Sequence, residues 1–246
     1  MPSITTQKAY LFSHWQEMQL HFSLYLKDRE MEDLHQMRIH IKKIHALILF
    51  IAYLSNSEKI IKNFIPVKKL FKKAGKIREL QIHFEKLKKD KKEWPLLEKK
   101  IFRKIEKENR DFIKKRKKWT LTIQKTFPKI DSEISPCPDE RLKRYLKFQI
   151  EEAYKDFKNG EFHETRKRVK LVLNLYELLS KKSKDILRLN LSFLDDIQDK
   201  IGKWNDLNQS IKMMNIRKSP ELRELKELTK NLIRSKEDLK NSAYLT

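Results

Sequence analysis

The segment His35-Gln-Met-Arg38-Ile-His-Ile-Lys42 returns as His163-Glu-Thr-Arg166-Lys-Arg-Val-Lys170, with its His, Arg and Lys each displaced by 128 positions. Further along, Gly75-Lys-Ile-Arg78-Glu79-Leu80 is echoed by Gly202-Lys-Trp-Asn205-Asp206-Leu207, displaced by 127. The chain holds 3 glycines, and two of them occupy these equivalent places. Chance does not readily align so many rare positions, so the sequence reads as an internally duplicated unit. Apolar residues recur at spacings of three and four almost throughout, and Lys, Glu, Leu and Ile dominate. The fold class expected is therefore all-α.

The spacing of the repeated residues has a physical meaning. On a helix of 3.6 residues per turn, positions i, i+3 and i+7 share one narrow stripe. His35, Arg38 and Lys42 fall on such a stripe, and His45 extends it by a turn. Leu34, Met37, Ile41, Ile44 and Ile48 form the apolar face beside it. His163, Arg166 and Lys170 repeat the pattern next to Phe162, Val169, Val172 and Tyr176. A solvated cation stripe would sit opposite the apolar face. Here it lies at the edge, where helices converge, so the cations are expected to point into a crevice, where charge attracts anions more strongly than on an open surface. Read one at a time, these residues would be a satisfied histidine and snorkelling cations; two copies in register favour a binding role for the set.

Working outward, helices are expected over about 5–29 and 31–54, with a break at Ser55-Asn56-Ser57. The segment that follows should be kinked or split by Pro66 and stopped at Gly75, where another element begins. Trp94-Pro95 opens a helix reaching Trp119. Residues 127–138, with Pro128, Pro136 and Pro138, read as a linker. Helices resume over about 139–158, 161–181 and 184–201, Gly202 punctuates again, and Ser219-Pro220 caps and opens the last helix. The organisation expected is one domain over 1–246, with a first half of about 1–126 and a second of about 139–246.

Composition restricts the partner. The chain has 57 Lys+Arg against 34 Asp+Glu, a formal net charge of +23. That excess favours a polyanion: nucleic acid, an acidic membrane surface or a phosphate polymer. Residues 86–118 alone hold 16 Lys/Arg against 6 Asp/Glu, yet Trp94, Leu97, Ile101, Ile105 and Phe112 mark one apolar stripe there. This segment reads as a solvated helix face, with an auxiliary anion-binding surface as the alternative. The longest apolar run, Ala46 to Leu54, falls far short of the ~20 residues of a membrane span. One cysteine, Cys137, excludes an internal disulfide framework and suits a reducing compartment. No signal-peptide pattern opens the chain, and a cytoplasmic protein is expected.

The double motif resembles the conserved histidine α-helical domain family, CHAD, over about residues 31–214. That family carries His-x-x-Arg-x-x-x-Arg/Lys twice, each followed some forty residues later by Leu-Gly-x-x-Arg/Asn-Asp. Here the second elements are Ala74-Gly75-Lys-Ile-Arg78-Glu79 and Ile201-Gly202-Lys-Trp-Asn205-Asp206, so Glu79 stands where the family has Asp. Lys43 fits one of the family's additional basic positions, whereas His45, Leu171 and Leu173 stand where further Lys or Arg is usual. The resemblance implies two four-helix bundles related by a pseudo-two-fold axis, with a basic channel between them that binds inorganic polyphosphate, and some relatives associate with polyphosphate granules. It implies His35, Arg38, Lys42, Lys43, His163, Arg166 and Lys170 as phosphate contacts, with His45 added from the stripe. Gly75 and Gly202 would be helix-junction residues, and Arg78, Glu79, Asn205 and Asp206 would cap helices or orient neighbours. The chemistry agrees: a polymer of oxyanions needs repeated donors along a groove, and Arg, Lys and His supply a fork, a mobile point charge and a pH-dependent charge.

Competing functions find less support. No Gly-rich phosphate loop is written. His35, His40 and His45 are spaced by five and do not share a helix face, so His-x-x-x-His metal spacing is missing. Asp195 and Asp199 form an i, i+4 carboxylate pair that reads as solvated or salt-bridged. No catalytic residues, cofactor or metal are expected. Generic nucleic-acid binding through the basic surface is the alternative, and it would be driven by phosphate contacts.

Overall fold

In a computed structural model of the protein, residues 4–89, 95–214, 220–234, 239 and 242–244 are described. Among them are ten helices and no strand, only an isolated antiparallel bridge between Leu189 and Tyr244. The described residues divide into two compact units, Ile4–Pro136 and those from Cys137 onward. No helix among the described residues is long and apolar enough to cross a membrane.

The first unit holds α1 (Ile4–Asp28), α2 (Met31–Ser55), α3 (Lys59–Lys89), α4 (Pro95–Lys114) and α5 (Arg116–Asp131). Its core follows the three-four periodicity. Leu11, Trp15, Met18, Phe22 and Tyr25 of α1 are buried, as are Leu34, Met37, Ile41, Ile44 and Ile48 of α2. Phe64, Val67, Leu70, Ala74 and Ile77 of α3 complete the interior. Helix α2 packs on α1 and α3, while α3 also packs on α4 and α5. The Tyr25 hydroxyl donates to Asn109 Oδ1 at 2.6 Å, tying α1 to α4; burial pushes the phenol up to about 12. The α2 helix ends where Asn56 turns left-handed (φ 46°) and its N–H bonds to Ala52 O, so the expected break is there.

The second unit holds α6 (Asp139–Lys158), α7 (Phe162–Tyr176), α8 (Lys181–Leu187), α9 (Leu191–Met214) and α10 (Pro220–Arg234). Helix α7 packs on α6 and α9, and α9 packs on α10. Buried Asp139, at the start of α6, accepts from the hydroxyls of Ser180 and Ser183 and from the Ser180 N–H, which fastens the N-terminus of α8 to α6. Burial alone would raise this carboxyl, but the serine donors outweigh it and hold it below its usual range. Arg168 joins α7 to α6 through Asp156 Oδ2 at 2.7 Å and Gln149 Oε1 at 3.0 Å.

Several boundaries differ from the sequence expectation. Pro66 neither splits nor ends its helix, and α3 runs unbroken from Lys59 to Lys89. Pro66 and Ile65 face outward while Phe64, Val67 and Leu70 are buried, so the carbonyl that loses its donor is on the solvated side and core packing carries the helix through. Gly75 and Gly202 are not helix stops or junctions: both lie inside continuous helices, α3 and α9. Consequently Arg78, Glu79, Asn205 and Asp206 are interior residues of those helices. The helix expected to reach Trp119 is interrupted at Lys115 (φ −92°, ψ 10°). Helix α5 continues through Phe127 and Pro128 to Asp131, shortening the non-helical connection to 132–138. In the second unit α7 ends at Tyr176, and a cap at Ser180, accepting from Ser183 N–H, starts the short α8 instead. Helix α9 starts at Leu191, with Asn190 Oδ1 accepting from Phe193 N–H. Trp94 and the cap expected at Ser219 lie outside the described residues.

Candidate anion-binding site

The two motif arginines make the same unusual contact. Arg38 of α2 lies flat against α3 at Gly75: its Nη1 donates to Phe71 O at 2.7 Å, and its Cζ stands 4.1 Å from the centre of the Phe71 ring. Phe71 precedes Gly75 by one helical turn. A Cβ placed on Gly75 would collide with Arg38 Nη1 and lie 3.2 Å from Cζ. In the second unit Arg166 of α7 lies against α9 at Gly202, with Nε donating at 3.0 Å to Gln198 O, again one turn before the glycine. A Cβ on Gly202 would sit 2.8 Å from Nη2 and 3.2 Å from Cζ. In both places a carbonyl already engaged in the helix ladder offers its second lone pair. The glycine is there because a guanidinium needs the space a side chain would fill. One face of each guanidinium is thus fixed by its own unit, and the motif spacing encodes that docking.

Around Arg38 the charges crowd. Arg38, half-buried, is lowered to about 10, first by burial and then by the positive charge of Arg78, with Glu79 partly offsetting both. His35 is likewise lowered, by burial foremost and then by Arg78, against Glu32. Lys42, exposed one turn on, adds to the same field. Arg78 Nε is enclosed and has no hydrogen-bond acceptor. The structure therefore brings together His35, Arg38, Lys42 and Arg78, with Glu79 exposed at the margin. It does not bring Lys43 or His45 with them. Lys43 acts on His14 and His40, toward α1. His45 stacks on Phe64 with ring centres 5.8 Å apart and its Nε2 enclosed without a partner; burial, then Lys68, takes it down to about 4. His45 is accordingly neutral at neutral pH.

The second unit differs. Lys170 is half-buried and lowered by burial, then by Arg166, but Asp199, Asp195 and Asp206 pull the other way. Asp195 and Asp199 both accept from Gln198 Nε2, at 3.0 and 2.6 Å, which explains the carboxylate pair seen in the sequence. His163 is exposed in the first turn of α7, and Asn205 is half-buried on α9. Of the basic helix α4, Ile101, Ile105 and Phe112 are buried, while Lys99, Lys100, Arg103 and Lys104 are exposed. Cys137 is buried, and burial pushes its thiol up to about 11, which suppresses thiolate chemistry.

Sequence reasoning missed a different cluster, in which His14, His21 and His40 meet Glu17 and Asp33 between α1 and α2. The available signal was Glu17 and His21 at i, i+4 on α1.

An all-helical chain whose helix pairs clasp arginine over glycine, with cations gathered beside each clasp, defines a class of basic helical domain. The protein belongs to the CHAD domain family, whose sequence profile matches residues 9–215. The match takes in most of α1 as well as the double motif. The fold is similar to the crystal structure of the CHAD domain from the plant Ricinus communis, with a TM-score of 0.70 at 13% identity, covering 97% of this chain and 89% of that one. No curated protein matches the chain in sequence.

Proposed function

We propose that the protein binds inorganic polyphosphate, without catalysis, through the two clasped stripes, His35–Arg38–Lys42 with Arg78 and His163–Arg166–Lys170. The repeated arginine-over-glycine clasp supports an internal duplication, and with it two equivalent anion sites on one chain. The observation that carries the reading is the crowding at Arg38. Like charges held close in a partly buried place are costly unless an anion joins them, and an oxyanion there would accept from Arg78 Nε, which has no acceptor of its own. Polyphosphate presents such oxyanions repeatedly and no base edges, which matches cationic donors repeated along each stripe. In this reading the protein works in the cytoplasm, at polyphosphate granules where these form.

Calorimetric titration of the full chain with long-chain polyphosphate over a range of salt tests the proposal. Tight binding that weakens steeply with salt is expected, because condensed counterions are released on binding. The Arg38→Ala, Arg166→Ala double variant should lose most of that affinity while keeping its helical content. Undiminished binding in the folded double variant would refute the site, and absence of binding by the wild-type chain would refute the function.

A further inference from the structure

From the side chains gathered between α1 and α2, we infer that Glu17, His21 and His40 form a binding site for a divalent transition-metal ion of the zinc type. One ligand atom from each lies within 4.8 Å of the others. Two imidazoles and a carboxylate suit Zn²⁺, Co²⁺ or Ni²⁺, and three protein ligands leave a position open for water or an anion. Metal–ligand distances of about 2.0–2.2 Å require the ligand atoms to draw together by roughly 1 Å, a movement within reach of the exposed Glu17 side chain.

The surroundings turn this from a coincidence of residue types into a prepared site. A ligating histidine needs its other ring nitrogen held, which fixes the tautomer and aims the lone pair. His21 Nδ1 is held by Asp33 Oδ1 at 2.8 Å, leaving Nε2, which stands 3.9 Å from Glu17 Oε2. His40 Nδ1 is held by His14 Nδ1 at 3.1 Å, so one ring must donate and the other accept. With His40 donating, its Nε2 carries the lone pair for the metal. The Tyr10 and His14 rings pack edge to face, centres 4.3 Å apart, which holds that support in turn. The His21 and His40 rings stack 6.0 Å apart at 18°. The Lys43 charge opposes a cation here, but the carboxylates of Glu17 and Asp33 outnumber it.

These residues are separate from the anion stripe, and the inference does not depend on polyphosphate binding. Titration with Co²⁺ and Zn²⁺ in a non-coordinating buffer should show one tight equivalent, with visible Co²⁺ absorption of a low-coordinate nitrogen–oxygen site. Histidine side-chain ¹⁵N spectra should show Zn²⁺ moving the Nε2 signals of His21 and His40 and leaving those of His35 and His163 in place. His40→Ala and the exposed-site variant Glu17→Gln should each weaken binding at least tenfold, and Asp33→Ala, which removes the acceptor that holds His21 Nδ1, by roughly 10- to 100-fold. Unchanged metal affinity in Glu17→Gln and His40→Ala, or no shift of the His21 and His40 signals at saturating Zn²⁺, would overturn the assignment.

Discussion

The arginine clasps of the two units are alike, but their surroundings are not. Beside Arg38 stands a second guanidinium, Arg78, and Glu79 is the only motif carboxylate near it. Beside Arg166 stands Lys170, with Asp195, Asp199 and Asp206 drawing on the same field; where the first unit has Arg78 the second has Asn205. The shared part, guanidinium over glycine, is geometry; the unshared part is charge. The first unit should therefore hold a phosphate more tightly than the second.

The largest expected effect is on Arg38. Each charge-assisted contact contributes about 1.5–3 kcal/mol, so Arg38→Ala should weaken polyphosphate binding roughly 10- to 100-fold, and Arg166→Ala by less. Polarisation of labelled polyphosphate ranks the two, and equal losses would break the asymmetry. Next, Gly75→Ala gains about 1 kcal/mol of helix propensity while the new methyl pushes Arg38 off Phe71 O. Stability should therefore stay within about 1 kcal/mol of wild type by urea unfolding, while polyphosphate affinity falls several-fold. Gly202→Ala should repeat this more weakly. An alanine that leaves affinity intact would make the docked pose irrelevant to binding.

Two smaller effects sharpen the contrast. Asp195→Asn with Asp199→Asn removes negative charge near Lys170 and should strengthen binding a few-fold at low salt, the gain vanishing as salt screens it. His35, lowered in the free protein, should be raised by a bound phosphate. Affinity then climbs as pH falls through the bound-state pKa and levels off below the free-state value, which lies under 6.5. His35→Gln should remove that part of the slope; an unaltered slope would take His35 out of the contact set.

His45 carries a prediction about stability instead. Its folded pKa of about 4 lies below the ordinary 6.5, so between these values the unfolded chain binds a proton that the folded one refuses. Its contribution is intact above pH 6.5 and declines as pH falls to about 4, by at most about 3 kcal/mol. Urea midpoints should drop over that window, and His45→Phe should flatten part of the drop.

The sequence made the helices legible because their apolar spacing and core agree, from Leu11 through Phe22 and from Leu34 through Ile48. It misled at Pro66 and the two glycines, because local signals for breaks were overridden by packing that appears only in three dimensions. Gly75 was singled out correctly by the repeat but given the wrong role: a mid-helix glycine and a stop glycine look alike until the arginine opposite is known. Within the stripe, His35, Arg38 and Lys42 could be read from periodicity. His45 could not be separated from them, since its contact with Phe64 depends on the neighbouring helix. Arg78's entry into the cluster and the meeting of His14, His21 and His40 depend on which helices pair, a long-range matter that spacing along one helix does not carry.

The central claim, that the clasped stripes recognise a phosphate polymer as such, is tested most directly by competition. Labelled long-chain polyphosphate bound to the full chain is displaced with unlabelled polyphosphate, duplex DNA or single-stranded RNA at near-physiological salt, compared per phosphate charge. Marked preference for polyphosphate, abolished in the Arg38→Ala, Arg166→Ala variant, is the result predicted. Equal displacement by all three polymers, unaffected by the two substitutions, would contradict it.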